Sequence, residues 1–124
     1  MLLENYYIVK SCTTESDSAV FHVHLCPDCK VYEGHFPGEP VSPGVCNIQM
    51  MLECAAQVAG HRLRTTVIKR CRLTALITPL THPELDVHIQ LTEKEGGAYD
   101  LNASIGMGEN TYLSLKAEVV NDAE

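Results

Sequence analysis

The stretch Tyr32-Glu33-Gly34-His35-Phe36-Pro37-Gly38-Glu39-Pro40-Val41-Ser42-Pro43-Gly44-Val45 decides how the rest of the chain is read. It lies within residues 26–44, which hold four of the six prolines and three glycines. Proline fixes φ and removes a backbone donor, so this segment is neither helix nor central strand; it reads as a long, shaped loop. At Val45 the pattern changes. Apolar residues at Val45, Ile48, Leu52, Ala55, Ala56 and Ala59 follow the spacing of one helical face, ending near Gly60. Ser42 is placed to cap this helix, and Pro43 sits where a first-turn proline is tolerated.

Working outward, residues 5–13 and 18–25 alternate apolar and polar types and are rich in β-branched and aromatic side chains, the pattern of two strands. Beyond the helix, four more strands are predicted over 65–77, 84–94, 98–106 and 110–120, separated by Pro79 to Pro83, Glu95-Gly96-Gly97 and Gly108-Glu109-Asn110. Short turns predict antiparallel pairing of neighbours. Two strands, one helix of about four turns and four strands predict an α+β fold, an antiparallel sheet wrapped around one largely buried helix. With 124 residues and no repeat or linker, a single domain over 1–124 is expected.

The loop and helix start resemble the hot-dog fold 3-hydroxyacyl-(acyl carrier protein) dehydratases, whose signature reads approximately GHFPGxPxxPGV followed by a helix. Each fixed position of that pattern is present between Gly34 and Val45. The resemblance is strong over about 26–60 and general beyond. It implies dehydration of 3-hydroxyacyl thioesters to enoyl thioesters in fatty-acid or related lipid or polyketide-like synthesis. His35 would be catalytic, with Phe36, Gly44 and Val45 at the substrate and the Gly44 N–H on the thioester. It also implies an acyl carrier protein bearing an acyl-phosphopantetheine as partner, and a homodimer or higher homo-oligomer. No cofactor or metal is implied.

Those residue types suit the chemistry. Dehydration needs a base for the C2 proton, assistance to the departing hydroxyl and polarisation of the thioester carbonyl. Histidine titrates near working pH, and flanking prolines stiffen the loop that holds it. The first turn of the helix offers unpaired N–H groups and a positive dipole end to a carbonyl oxygen.

One position departs from the pattern. Similar dehydratases carry an acidic residue on the helix fourteen residues after the histidine, where this chain has Gln49. An amide is neutral and cannot supply a proton, although it can hydrogen-bond. One turn on, Glu53 shares a stripe with Gln49 and Gln57, and many relatives have glutamine there, so the two residue types look exchanged. Three readings stay open. Glu53 takes the acid role, with a shift of about 5.4 Å to accommodate. Gln49 orients a hydroxyl or water while His35 alone handles protons. Or the chain binds acyl groups without turnover, or relies on an active partner subunit. An acyl-thioester hydrolase is a further competitor, because one fold hosts several chemistries, though such enzymes generally lack the His-Phe-Pro-Gly loop.

The net charge of −7 opposes nucleic-acid binding. Five of the nine basic residues nevertheless fall within 62–72: Arg62, Arg64, Lys69, Arg70 and Arg72. Strand alternation places Lys69 and Cys71 on one face and Arg70 and Arg72 on the other, so part of the run forms a positive patch suited to an acidic carrier protein. No apolar run reaches the roughly 18 residues a membrane span needs, and the start lacks the features of an export signal, so a cytoplasmic protein with reduced thiols is expected. His22, His24, Cys26 and Cys29 have zinc-competent types. The resemblance accounts for them more simply, as a strand running into the turn Cys26-Pro27-Asp28-Cys29. Met50, Met51, Cys54 and Ala55 read either as the lining of an acyl tunnel or as plain core.

Overall fold

The structure is a computed structural model and describes residues 6–15, 17–26, 44–75, 77 and 83–122. Six strands and one long helix follow in the order β1 (Tyr7–Thr14), β2 (Ser18–Leu25), α1 (Gly44–Ala59), β3 (Leu63–Leu73), β4 (Glu84–Glu93), β5 (Ala98–Met107) and β6 (Asn110–Asn121). The strands form one antiparallel sheet ordered β1-β2-β4-β5-β6-β3, with α1 packed on one face. This is the expected architecture. Ser42, Pro43 and the loop before them lie outside the described residues.

Alternation is the physical origin of the layering. In β2 each second residue, Ala19, Phe21, Val23 and Leu25, is buried, while Val20, His22 and His24 face away from the helix. Leu85, Val87, Ile89 and Leu91 repeat the pattern in β4, Leu101, Ala103 and Ile105 in β5, and Leu113, Leu115, Ala117 and Val119 in β6. Against this apolar floor α1 buries Cys46, Met50, Met51, Cys54 and Ala55. The helix stops at Gly60, whose φ of 82° is left-handed and whose N–H closes on Ala56 O at 2.9 Å, a glycine cap that a side chain would strain. A second glycine is dictated by close approach: a Cβ on Gly106 would lie 2.1 Å from Asn110 O.

Two strand relationships differ from expectation. β3 does not pair with its successor β4; it pairs with β6, from Leu63 opposite Asn121 to Leu73 opposite Leu113. The connection between β3 and β4 is long enough to cross the sheet, so the short-turn rule does not apply there. β3 is also irregular, with register shifts between Thr65 and Val67 and between Ile68 and Arg70. The second shift inserts Lys69 as an extra residue and breaks the alternation that would separate it from Arg70. Lys69 reaches Asp100 and Glu118 on the face away from the helix, the face on which Arg70 lies opposite Lys116 and Arg72 opposite Ser114.

Candidate functional site

Helix α1 presents its second stripe to a cavity of about 1010 Å³, lined by Ile48, Gln49, Leu52, Glu53, Ala56 and Gln57 together with the start of β3. Met50, Met51, Cys54 and Ala55 do not line it; they are fully buried in the core. Ile48, Leu52, Ala56, Leu63 and Ile68 give the cavity apolar walls, Gln49 and Glu53 supply polar groups on its helix side, and Arg62, Arg64 and Asp122 add charged groups at its rim.

Glu53 is 7% exposed, an uncommon position for a carboxyl group. Two donors hold it. Gln49 Nε2 donates to Oε2 at 3.0 Å, as i and i+4 on one face permit, and the Tyr7 hydroxyl donates to Oε1 at 3.0 Å. Tyr7 opens β1, opposite Leu25, with its ring fully buried. Burial, then the nearby Cys54 and Glu53, raise the phenol pKa far above its ordinary value, so it serves as a neutral donor. The Cys54 thiol, in hydrogen-bond contact with the phenol, is pushed up to about 12, chiefly by burial. A parallel pair lies beside this one: Tyr6, also fully buried, donates from its hydroxyl to Asn47 Oδ1 at 2.6 Å.

Gly44 is the first residue of α1 and Val45 the second. His35 and Phe36 lie outside the described residues, so the structure brings together Gln49 and Glu53 but does not test the histidine. Tyr7 was missed from sequence. The only signal was the Tyr6-Tyr7 pair at a strand start, where alternation admits one inward residue rather than two.

The histidines of β2 have other partners. His22 Nδ1 lies 2.8 Å from Asp86 Oδ1 and its Nε2 2.9 Å from Glu84 Oε1, while His24 Nδ1 bonds Glu84 Oε2. Both imidazoles are thus engaged by carboxylates across the β2–β4 pair, which suits the strand reading of this segment; Cys29 lies outside the described residues. Among the described residues no helix is long and apolar enough to cross a membrane.

On the opposite face of the sheet, two cross-strand rows run Val20, His88, Ser104, Ser114, Arg72 and Ser18, Gln90, Asn102, Lys116, Arg70. They line a groove of about 820 Å³. The basic run is therefore divided. Arg62 and Arg64 approach Asp122, Lys69 approaches Asp100 and Glu118, and Arg70 and Arg72 share the groove with Lys116.

An antiparallel six-stranded sheet packed on one long helix defines the class as hot-dog proteins. The chain belongs to the ApeI-like family, described as ApeI dehydratase, whose model matches residues 11–111. A segment of 32 residues is 41% identical to the 3-hydroxyacyl-[acyl-carrier-protein] dehydratase FabZ of Dinoroseobacter shibae, covering 26% of this chain and a fifth (20%) of that relative's length. Among solved structures, the dehydratase heterocomplex ApeI:P of Xenorhabdus doucetiae superposes with a TM-score of 0.74 at 19% identity, covering 92% of this chain and 97% of that one. The Lactococcus lactis protein yhdA, provisionally assigned as a thioesterase, superposes at 0.65 with 7% identity over 95% of this chain and 93% of its own. At such identities these two likenesses establish the fold alone.

Proposed function

We propose that the chain dehydrates 3-hydroxyacyl thioesters carried by acyl carrier protein, giving enoyl thioesters and water. The observation that carries this reading is Glu53, a carboxyl group that accepts from Tyr7 and Gln49 on the wall of a cavity, one turn from where related dehydratases have their acid. Membership of the dehydratase family supports it. In the proposed reaction His35 removes the C2 proton, the C3–O bond breaks, and the departing hydroxyl takes a proton from Glu53 and leaves as water. Gln49 steers the hydroxyl by hydrogen bonding, and the Gly44 N–H at the helix start polarises the thioester carbonyl. Phe36 and Val45 contact the acyl group.

The groove bearing Arg70, Arg72 and Lys116 is the docking face for the acidic carrier protein. β3 is an edge strand on which Val67, Ile68 and Leu73 are 49%, 48% and 52% exposed, and it serves as the seam of a homodimer. Gln49 in place of a carboxylate favours a second reading, an acyl-binding subunit without turnover of its own.

The test is incubation with a 3-hydroxyacyl carrier protein, following enoyl product, free acid and substrate by mass. Enoyl product that disappears in H35A supports the dehydratase. Free acid would establish a hydrolase, and absence of turnover with retained binding would establish the acyl-binding subunit.

A further inference from the structure

We infer that Tyr7 is the positioning residue of the site, fixing the Glu53 carboxyl so that Oε2 faces the substrate; this rests on the proposed acid role of Glu53. The two carboxyl oxygens have different surroundings. Oε1 takes the hydroxyl of a wholly buried tyrosine at the start of β1. Oε2 takes the amide of Gln49, an exposed side chain that lines the cavity. Both oxygens accept a hydrogen bond, so what distinguishes them is position: Oε1 is covered by the buried phenol, and Oε2, beside the cavity-lining Gln49, is the oxygen that can present a proton to the substrate.

Without the phenol, rotation about the last side-chain bond of Glu53 interchanges the oxygens and turns the acid away from the cavity. After transfer the same O–H stabilises the negative charge left on the carboxylate. The proton balance is closed: the substrate hydroxyl gains the Oε2 proton, Glu53 becomes an anion, and Tyr7 keeps its own proton throughout. Cys54 packs behind the phenol within hydrogen-bond contact and helps fix the ring from the core side.

The experiment is a double-mutant cycle of Y7F and E53Q on the full chain, scored by enoyl formation and by thermal melting. Y7F is expected to lower kcat by about 10²-fold, the usual cost of misplacing a reacting group, with KM changed less than about twofold. In the E53Q background Y7F should cause little further loss, because a residue acting through Glu53 has nothing left to position. Wild-type activity in E53Q would remove the acid role of Glu53 itself. Loss in E53Q without loss in Y7F would overturn the inference about Tyr7 alone, and so would an equal Y7F penalty in both backgrounds. A check independent of any substitution at position 7 uses the Tyr7 hydroxyl proton. It should give a slowly exchanging proton resonance that shifts in E53Q, and an unshifted resonance overturns the inference.

Discussion

Gln49 and Glu53 are bonded to each other, Nε2 to Oε2 at 3.0 Å, across a single turn of α1. The amide therefore belongs to the carboxyl group as one of its two identified donors. Restoring an acid at position 49 removes that donor and sets two carboxylates a turn apart. Q49E is expected to be less stable than the parent by about 1–2 kcal/mol at pH 8. Urea unfolding of the two proteins side by side measures it, and equal stability would show that the Gln49 amide does not support Glu53.

The β2–β4 carboxylates make stability depend on pH in two directions. Hydrogen bonds to Asp86 and then Glu84 raise the His22 pKa above 6.5, so His22 contributes stability that is complete below that value and fades as pH rises through its folded pKa. His24 and then His22 hold Glu84 below 4.5, so its contribution is complete above that value and fades as pH falls through its folded pKa. Both contributions coexist between about 4.5 and about 6.5. H22Q should flatten the decline in melting temperature on the alkaline side of this window. A decline of undiminished slope in H22Q would assign the dependence to another group.

Arg70 and Arg72 lie in the outer groove with Lys116, whereas Lys69 stands within 3.4 Å of Asp100 and 3.9 Å of Glu118. Replacing both arginines by glutamate should weaken carrier-protein binding on the order of tenfold at low salt, with the difference closing as salt screens the charges. Titration by calorimetry at two ionic strengths measures this, and unchanged low-salt affinity would remove the docking face.

The place of β3 at the edge of the sheet predicts a different behaviour for Ile68, an exposed apolar residue on that strand. A glutamate there would place a charge in the proposed seam, so I68E should sediment as a monomer under conditions where the parent is dimeric. A parent that is already monomeric, or an I68E variant that remains dimeric, would move the interface elsewhere.

Much of this was legible in the chain because the signals are local. The period of two in Ala19, Phe21, Val23 and Leu25 marks an inward face without reference to any other strand. Gly60 ends the helix where the apolar spacing stops, one residue beyond Ala59. The i, i+4 spacing of Gln49 and Glu53 likewise sets them on one helical stripe without reference to any other element.

The sequence by itself determined the elements, their order and the helix stripe that carries the candidate carboxyl group, since each depends on residues within a few positions of one another. Tertiary structure alone decided that β3 joins β6 and that an inserted Lys69 turns outward with Arg70. It also decided which stripe of the helix meets a cavity and which enters the core. Above all it supplied Tyr7 to Glu53 across 46 residues of chain. No local periodicity encodes such a contact; it exists because sheet and helix, folding around a common apolar core, bring the side chain at the start of β1 within reach of α1.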